Sequence, residues 1–295
     1  MKRPKQKIDG WVVLDKPLGM GSTTAVGRVR WLFSAEKAGH GGTLDPLATG
    51  VLIVAIGPAT RLIEYVQRMP KTYQATFLLG RTSDTEDIEG VVEELPNAPL
   101  PSEAHLRAAL PGFLGTIQQT PPAFSALKVE GQRAYKLARR GEAVELAARP
   151  VEIHSLEVLR YAYPELELFV SCGSGTYIRS LGRDLAQALG TGAVMSALRR
   201  QAIGPFEATS AIALTDLSPD EIVRRLQPPQ LALVDMPQIE IDDAELKLLG
   251  YGQPIATRGG LVTAEAAALH AGRLVAILIP DEHRRWRPAK YFPPD

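Results

Sequence analysis

Apolar and polar positions along the chain follow two periods. Over residues 71–79 they alternate, with Tyr73, Ala75, Phe77 and Leu79 on one face and Thr72, Gln74 and Thr76 on the other, which predicts a strand with an inward-facing Tyr73 near its start. Leu166, Leu168, Val170 and Cys172 repeat that spacing and predict a second strand, with Cys172 as a small core residue. Residues 51–56 are apolar throughout and read as a buried strand. Elsewhere the period is helical. Val26, Val29 and Phe33 follow Ser22-Thr23, whose side-chain oxygens are expected to cap a helix start. Leu62, Ile63 and Val66 follow Pro58, which suits a first helical turn. Ile178, Leu181, Leu185 and Leu189 mark a helix that stops at Gly190.

Strands and helices mix without regular alternation, which argues against a doubly wound parallel sheet and for an α+β fold. A domain boundary is expected at Leu226-Gln227-Pro228-Pro229-Gln230. Beyond it, a short helix with Leu246, Leu248 and Leu249, Gly-rich turns and an apolar strand over 274–279 predict a small β-rich module.

The 295 residues carry 33 Lys+Arg against 33 Asp+Glu, so composition does not announce a polyanion partner. The neutrality hides local bias. Residues 81–94 hold six acids against Arg81, whereas 119–149 hold six bases against three acids, and 179–200 hold Arg179, Arg183, Arg199 and Arg200 against Asp184. Singly such segments read as solvated faces; beside a candidate site they point toward a polyanion. A single cysteine excludes an intrachain disulfide, and the five histidines lack paired ligand spacing, so no metal is expected. No apolar run reaches the roughly 18 residues of a membrane span, and the basic start lacks a signal-like apolar stretch. A cytoplasmic protein is expected.

Candidate chemistry gathers in two places. Residues 39–50, Gly39-His40-Gly41-Gly42-Thr43-Leu44-Asp45-Pro46-Leu47-Ala48-Thr49-Gly50, form a glycine-rich loop containing Asp45, and Pro46 biases that aspartate toward extended backbone. Ser174-Gly175-Thr176-Tyr177-Ile178-Arg179 falls between a strand and a helix, where binding residues collect. Tyr177 and Arg179 share a face if the segment is still extended there, and Arg179 suits a two-pronged grip on a carboxylate. Phosphate-loop, dinucleotide-binding and nucleophile-elbow motifs are all absent. An acid, a tyrosine and an arginine remain, with Asp45 suited to act as nucleophile or base.

Taken together, these residues resemble the TruB family of bacterial tRNA pseudouridine synthases. The resemblance rests on Asp15-Lys16-Pro17-Leu18-Gly19-Met20, the loop 39–50, Lys71-Thr72-Tyr73, Gly80-Arg81-Thr82-Ser83-Asp84-Thr85-Glu86-Asp87, Pro121-Pro122-Ala123-Phe124-Ser125-Ala126-Leu127-Lys128, Gly175-Thr176-Tyr177-Ile178-Arg179 and Leu198-Arg199-Arg200. It covers roughly residues 8–205. It implies a pseudouridine synthase fold, with a mixed, largely antiparallel sheet flanked by helices. The catalytic domain would span 8–230, with a basic RNA-clasping insertion at about 119–149, and a PUA-like RNA-binding module would span 231–295.

The implied reaction turns uridine 55 of the tRNA T loop into pseudouridine without metal or cofactor. Asp45 would be the nucleophile, adding to the ribose C1′ or to the uracil ring, and Arg179 the partner that aims it. Tyr73 would lie against the target base, and perform or relay proton transfer; His40 would occupy the opened T loop; Tyr177 and Leu198 would add pocket contacts. Lys16, Lys128, Arg139, Arg140, Arg199 and Arg200 would meet RNA. Chemistry at C1′ requires a flipped nucleotide, and an inward tyrosine suits the stacking that recovers its cost.

Gly41 stands where many relatives have Thr, and Gly42-Thr43 replaces a common Gly-Ala; both leave His40 and Asp45 in register. The 60 C-terminal residues match less tightly. The partner expected is the tRNA T stem-loop, with no membrane, no obligate protein partner and a monomeric chain. The competing readings are a non-catalytic tRNA-binding or folding factor, against which Asp45 stands, and a guide-RNA-dependent relative of dyskerin type. The continuation Pro46-Leu47-Ala48-Thr49-Gly50 and the basic insertion favour the stand-alone bacterial branch over the latter.

Overall fold

The computed structural model describes residues 8–294 apart from 126, 130, 139, 143, 144 and 258–262, and leaves the side chains of Lys128 and Arg133 undescribed. The chain opens with β1 (Gly10–Lys16), α1 (Ser22–Phe33), β2 (Ala38–His40) and β3 (Ala48–Ile56). A 3-10 turn leads into α2 (Ile63–Arg68), then β4 (Lys71–Leu79). A hairpin of β5 (Arg81–Ser83) and β6 (Val92–Glu94) precedes α3 (Glu103–Ala109) and β7 (Gly115–Gln119). The basic segment holds a two-stranded ribbon, β8 (Lys128–Val129) and β9 (Gln132–Arg133), and α4 (Ala134–Ala138). Then come β10 (Arg149–Ala162), β11 (Glu165–Cys172), α5 (Ile178–Ala188), β12 (Ala193–Ile203), β13 (Phe206–Glu207), β14 (Ile212–Ala213) and α6 (Pro219–Arg225). The chain ends with β15 (Gln238–Glu240), α7 (Asp243–Gly250), β16 (Ala266–His270), β17 (Arg273–Pro280) and β18 (Trp286–Tyr291).

Ten strands form one sheet, with β14, β1, β3, β12, β4, β11, β10 and β7 in spatial order, β13 beside β12 and β2 beside β3. The pairs β1–β14 and β3–β12 are parallel and the rest antiparallel, so the sheet is mixed and largely antiparallel. The expected alternation holds along β4, where every second residue from Lys71 is buried, and Cys172 is a buried core thiol. Burial pushes that thiol up to about 11. On one side of the sheet, α1 and α5 cover Leu14, Leu52, Ala75, Phe77 and Leu168. Gly190 takes the left-handed conformation expected where α5 ends, with φ 74°.

The other side of β1 and β3 is covered as well, which explains the unbroken apolar run in β3. Trp11, Val13, Val51, Ile53 and Ala55 pack with Leu62 and Val66, with Ala232 and Leu233, and with Ala267, Ile277 and Phe292. Ala267 and Ile277 belong to a second, four-stranded sheet in the order β15, β16, β17, β18, and Phe292 directly follows its last strand. That sheet has its own core of Ile241, Leu249, Ile255, Val275, Leu278 and Trp286. The stretch 226–230 does not run free between the sheets. Trp11 and Gln227 exchange two main-chain hydrogen bonds of 2.8 Å, and the Trp11 indole donates to the Pro229 carbonyl at 3.1 Å.

Candidate active site

The loop between β2 and β3 carries Asp45 on a backbone that has no ladder of its own, so its carbonyls need donors from elsewhere. Buried side chains supply them. Arg200 Nη2 donates to the Gly42 carbonyl at 3.0 Å and Nη1 to that of Thr43 at 3.3 Å, while Nε reaches the Val51 carbonyl at 2.8 Å. Ser22 Oγ is bonded to the Leu44 main chain at 2.9 Å. Lys16 Nζ donates to the carbonyls of Met20 at 2.7 Å, Pro17 at 3.0 Å and Pro46 at 3.4 Å. Gly50 completes the seat. It lies opposite Arg200 in the β3–β12 pairing, with φ 93°, and a Cβ there would collide with the Arg200 carbonyl oxygen.

Asp45 itself meets Arg179. Arg179 Nη2 lies 3.0 Å from Asp45 Oδ2, and the arginine side chain is 7% exposed against 40% for the aspartate. The sequence predicts a two-pronged grip on one carboxylate. The structure corrects this: the guanidinium is divided. Its Nη1 lies 3.4 Å from Asp87 Oδ2 and donates to the Thr85 carbonyl at 2.7 Å, and Nη2 also donates to the Phe124 carbonyl at 3.0 Å. The buried cation thus ties the loop, the β5–β6 hairpin and the start of the basic segment to α5. Asp87 is in turn fixed by Thr85 Oγ1 at 2.6 Å and by the Glu89 N–H at 3.0 Å. Sequence reading placed Asp87 inside an acidic stretch and gave it no task. Its distinguishing mark is burial, at 3% exposed, which the acidic spacing does not reveal.

Tyr73 lies on β4 opposite Arg200 and Val170, its side chain in the core face and 7% exposed. Burial pushes its hydroxyl up, with the Arg200 charge pulling the other way and the Asp45 charge adding to the rise. The phenol is therefore neutral at rest. His40, on β2, has its imidazole pushed down by burial and then by Arg200, and its Nδ1 is buried without a hydrogen-bond partner among the described residues. Leu198 is buried between Ala48 of β3 and Ala75 of β4. Tyr177 precedes α5 in extended conformation, while Arg179 is already helical, so the two do not share a strand face. Gln119 holds the Tyr177 main chain from both sides, at 2.8 and 3.1 Å, and Arg149 lies 5.3 Å over its ring.

The expected RNA-facing cations divide. Lys16 is 0% and Arg200 1% exposed. Their donors are spent on main-chain carbonyls, so the expectation that they meet phosphates is corrected: they build the loop instead. Burial is also the main force pushing Lys16 below its ordinary value. Lys71, equally buried, is pushed down to about 8 by burial and by Arg200, and it donates at 2.6 Å to the carbonyls of Gln67 and Met69. Arg199 grips Asp15 through two bonds of 2.9 and 2.8 Å while remaining partly exposed. Arg140 is exposed and bonded to Glu142 at 2.6 Å and Gln132 at 3.1 Å. Lys128 pairs with Arg133 in the β8–β9 ribbon, and Arg139 lies outside the described residues. Among the described residues no group of three His, Cys, Asp or Glu side chains is placed to hold a metal ion. No helix among them is long and apolar enough to cross a membrane.

Comparison with known proteins follows the same residues. Residues 30–178 match the TruB family pseudouridylate synthase N-terminal domain, and 179–228 the tRNA pseudouridylate synthase B C-terminal domain. The chain is 43% identical to tRNA pseudouridine synthase B of Sinorhizobium medicae over 94% of each chain. It is 46% identical to the protein of that name from Paracoccus denitrificans over 86% of each. Among solved structures it resembles a chain of a Cbf5-Nop10-Gar1 complex, with a TM-score of 0.75 and 27% identity over 96% of this chain and 84% of that one.

Proposed function

The chain belongs to the TruB family of pseudouridylate synthases, and from that premise we propose that it isomerises uridine 55 in the T loop of tRNA to pseudouridine. The observation that carries this reading is the Asp45–Arg179 pair at 3.0 Å, with the cation buried and the carboxylate partly open. A carboxylate so held suits nucleophilic attack, at the ribose C1′ or at the uracil ring. A covalent intermediate then splits one difficult exchange into two easier steps. The glycosidic carbon is out of reach in a stacked base, so the uridine is flipped at a cost of a few kcal/mol. Tyr73, Leu198 and Tyr177 line the receiving pocket in this proposal, and His40 fills the space the nucleotide leaves. A neutral His40 suits that task, since it brings no charge to a crowded loop. The neutral Tyr73 phenol favours stacking and proton donation over service as a resting base.

Residues 8–230 form the catalytic domain in this reading, and 231–295 a PUA-like module that reaches further along the tRNA. Exposed cations of the 119–149 segment, Arg140 among them, take the phosphates. In this reading the protein works on tRNA in the cytoplasm as a monomer, without an obligate protein partner.

The test is pseudouridine mapping on unmodified tRNA with wild type and Asp45→Asn, without added metal or cofactor. Wild type modifies the T-loop uridine; the variant binds tRNA but loses at least about 1000-fold in rate, the scale of removing a nucleophile. Product from both proteins removes Asp45 from its role. No product from either, with tRNA still bound, leaves a non-catalytic binder.

A further inference from the structure

We infer that Ser22 is a positioning residue for Asp45. The inference rests on the isomerisation proposed above. A serine at a helix start ordinarily turns its oxygen onto free N–H groups of its own helix, and the sequence predicts this for α1. The structure corrects that expectation: the cap position is Gly21, and no side chain caps the helix. The Ser22 hydroxyl leaves its own helix, donating to the Leu44 carbonyl and accepting from the Leu44 N–H, each at 2.9 Å.

One hydroxyl thereby fixes two successive peptide planes. The second of them contains the nitrogen of Asp45. Any tilt of that plane moves the Asp45 Cα and swings its carboxylate. Ser22 and Leu44 are each 4% exposed, so water does not compete for these bonds, and removing the hydroxyl strands a buried donor and a buried acceptor together. The neighbouring restraints act to either side: Arg200 on the carbonyls of Gly42 and Thr43, Lys16 on that of Pro46. Arg179 grips the carboxylate but not the backbone that carries it. Ser22 closes the gap between these holds, one peptide from the reacting group.

The experiment measures single-turnover pseudouridine formation, tRNA affinity and melting temperature for wild type, Ser22→Ala and Ser22→Cys, below the melting range of all three. A misplacement of about 1 Å costs about 100-fold in rate, so Ser22→Ala is expected to lose about 30- to 100-fold. Ser22→Cys, with a weak thiol donor, falls between. The tRNA Kd stays within about twofold of wild type in both, because the RNA-facing surface is untouched. A Ser22→Ala rate matching wild type overturns the inference. So does a loss of affinity that parallels the loss of rate, which a merely structural role would produce. If Ser22→Ala does not fold, Ser22→Cys decides alone: a lowered rate at unchanged Kd upholds the inference, and a wild-type rate overturns it. A wild type that makes no product defeats the functional reading itself, and this inference with it.

Discussion

Asp87 and Asp45 share one cation: Arg179 sends Nη1 to within 3.4 Å of the buried Asp87 and Nη2 to within 3.0 Å of the open Asp45. Two carboxylates of different exposure thus sit on opposite prongs of a guanidinium that is almost fully buried. Asp87 anchors the cation, and the cation contacts Asp45.

A lysine cannot reproduce that division. Its ammonium is a point charge, whereas the planar fork of Arg179 serves Asp45, Asp87 and the carbonyls of Thr85 and Phe124 together. Arg179→Lys is expected to lower the single-turnover rate about 100-fold through misplacement of the proposed nucleophile, Asp45, with tRNA affinity little changed. Rate and affinity measured on the same preparation check this; a wild-type rate would show that the charge alone suffices.

Lys71 sets a pH dependence of stability. Its folded value, about 8, lies below the ordinary 10.5. Between these values the unfolded chain binds more protons than the folded one, so this group's contribution to stability rises with pH from about 8 toward 10.5. Cys172, pushed up from 9 to about 11, works in the opposite sense from pH 9 upward, so comparison with a variant isolates the lysine. The stability of wild type relative to Lys71→Met is expected to climb by about 1 kcal/mol per pH unit between 8 and 10. Denaturant melts at pH 7, 8, 9 and 10 read the difference, and a flat one would contradict the assignment.

The cations of the basic segment are expected to act through phosphates. Reversing Arg139 and Arg140 to Glu should weaken tRNA binding and reduce the slope of log K against log salt by about 1 to 2. Filter binding across a salt series checks this. An unchanged slope would take both residues out of the RNA footprint.

Much of this architecture was legible from residue spacing. The alternation in β4 and β11 and the helical stripe of α5 follow from which side chains the sheet must bury, and they appear as expected. The Asp45 loop stands out by its four glycines in twelve residues, which by themselves fit a plain turn aspartate as well as a site. What spacing does not reveal is where a cation's donors go. Lys16 and Arg200 stand in motif stretches, the latter also a basic one, and resemble phosphate ligands. The glycine-rich loop, however, leaves carbonyls without a ladder, and the fold brings these two cations to satisfy them. Arg199, the next residue along β12, alternates to the other side and stays partly open. Ser22 was read locally, as a helix cap, because its true partner lies 22 residues away. The Pro-rich stretch 226–230 reads only as a domain boundary for the same reason: Trp11, which ties it down, is more than 200 residues earlier.

That tryptophan has a mechanical consequence. Trp11 lies in the same apolar layer as Ala267 and Ile277 of the second sheet and Phe292 just after it, and Arg61 reinforces the joint by donating to the Tyr291 carbonyl at 2.6 Å. The two sheets are therefore joined through a shared apolar layer as well as through the chain. A substrate engaging both would meet them at the spacing that this shared layer sets, as a workpiece meets the jaws of calipers.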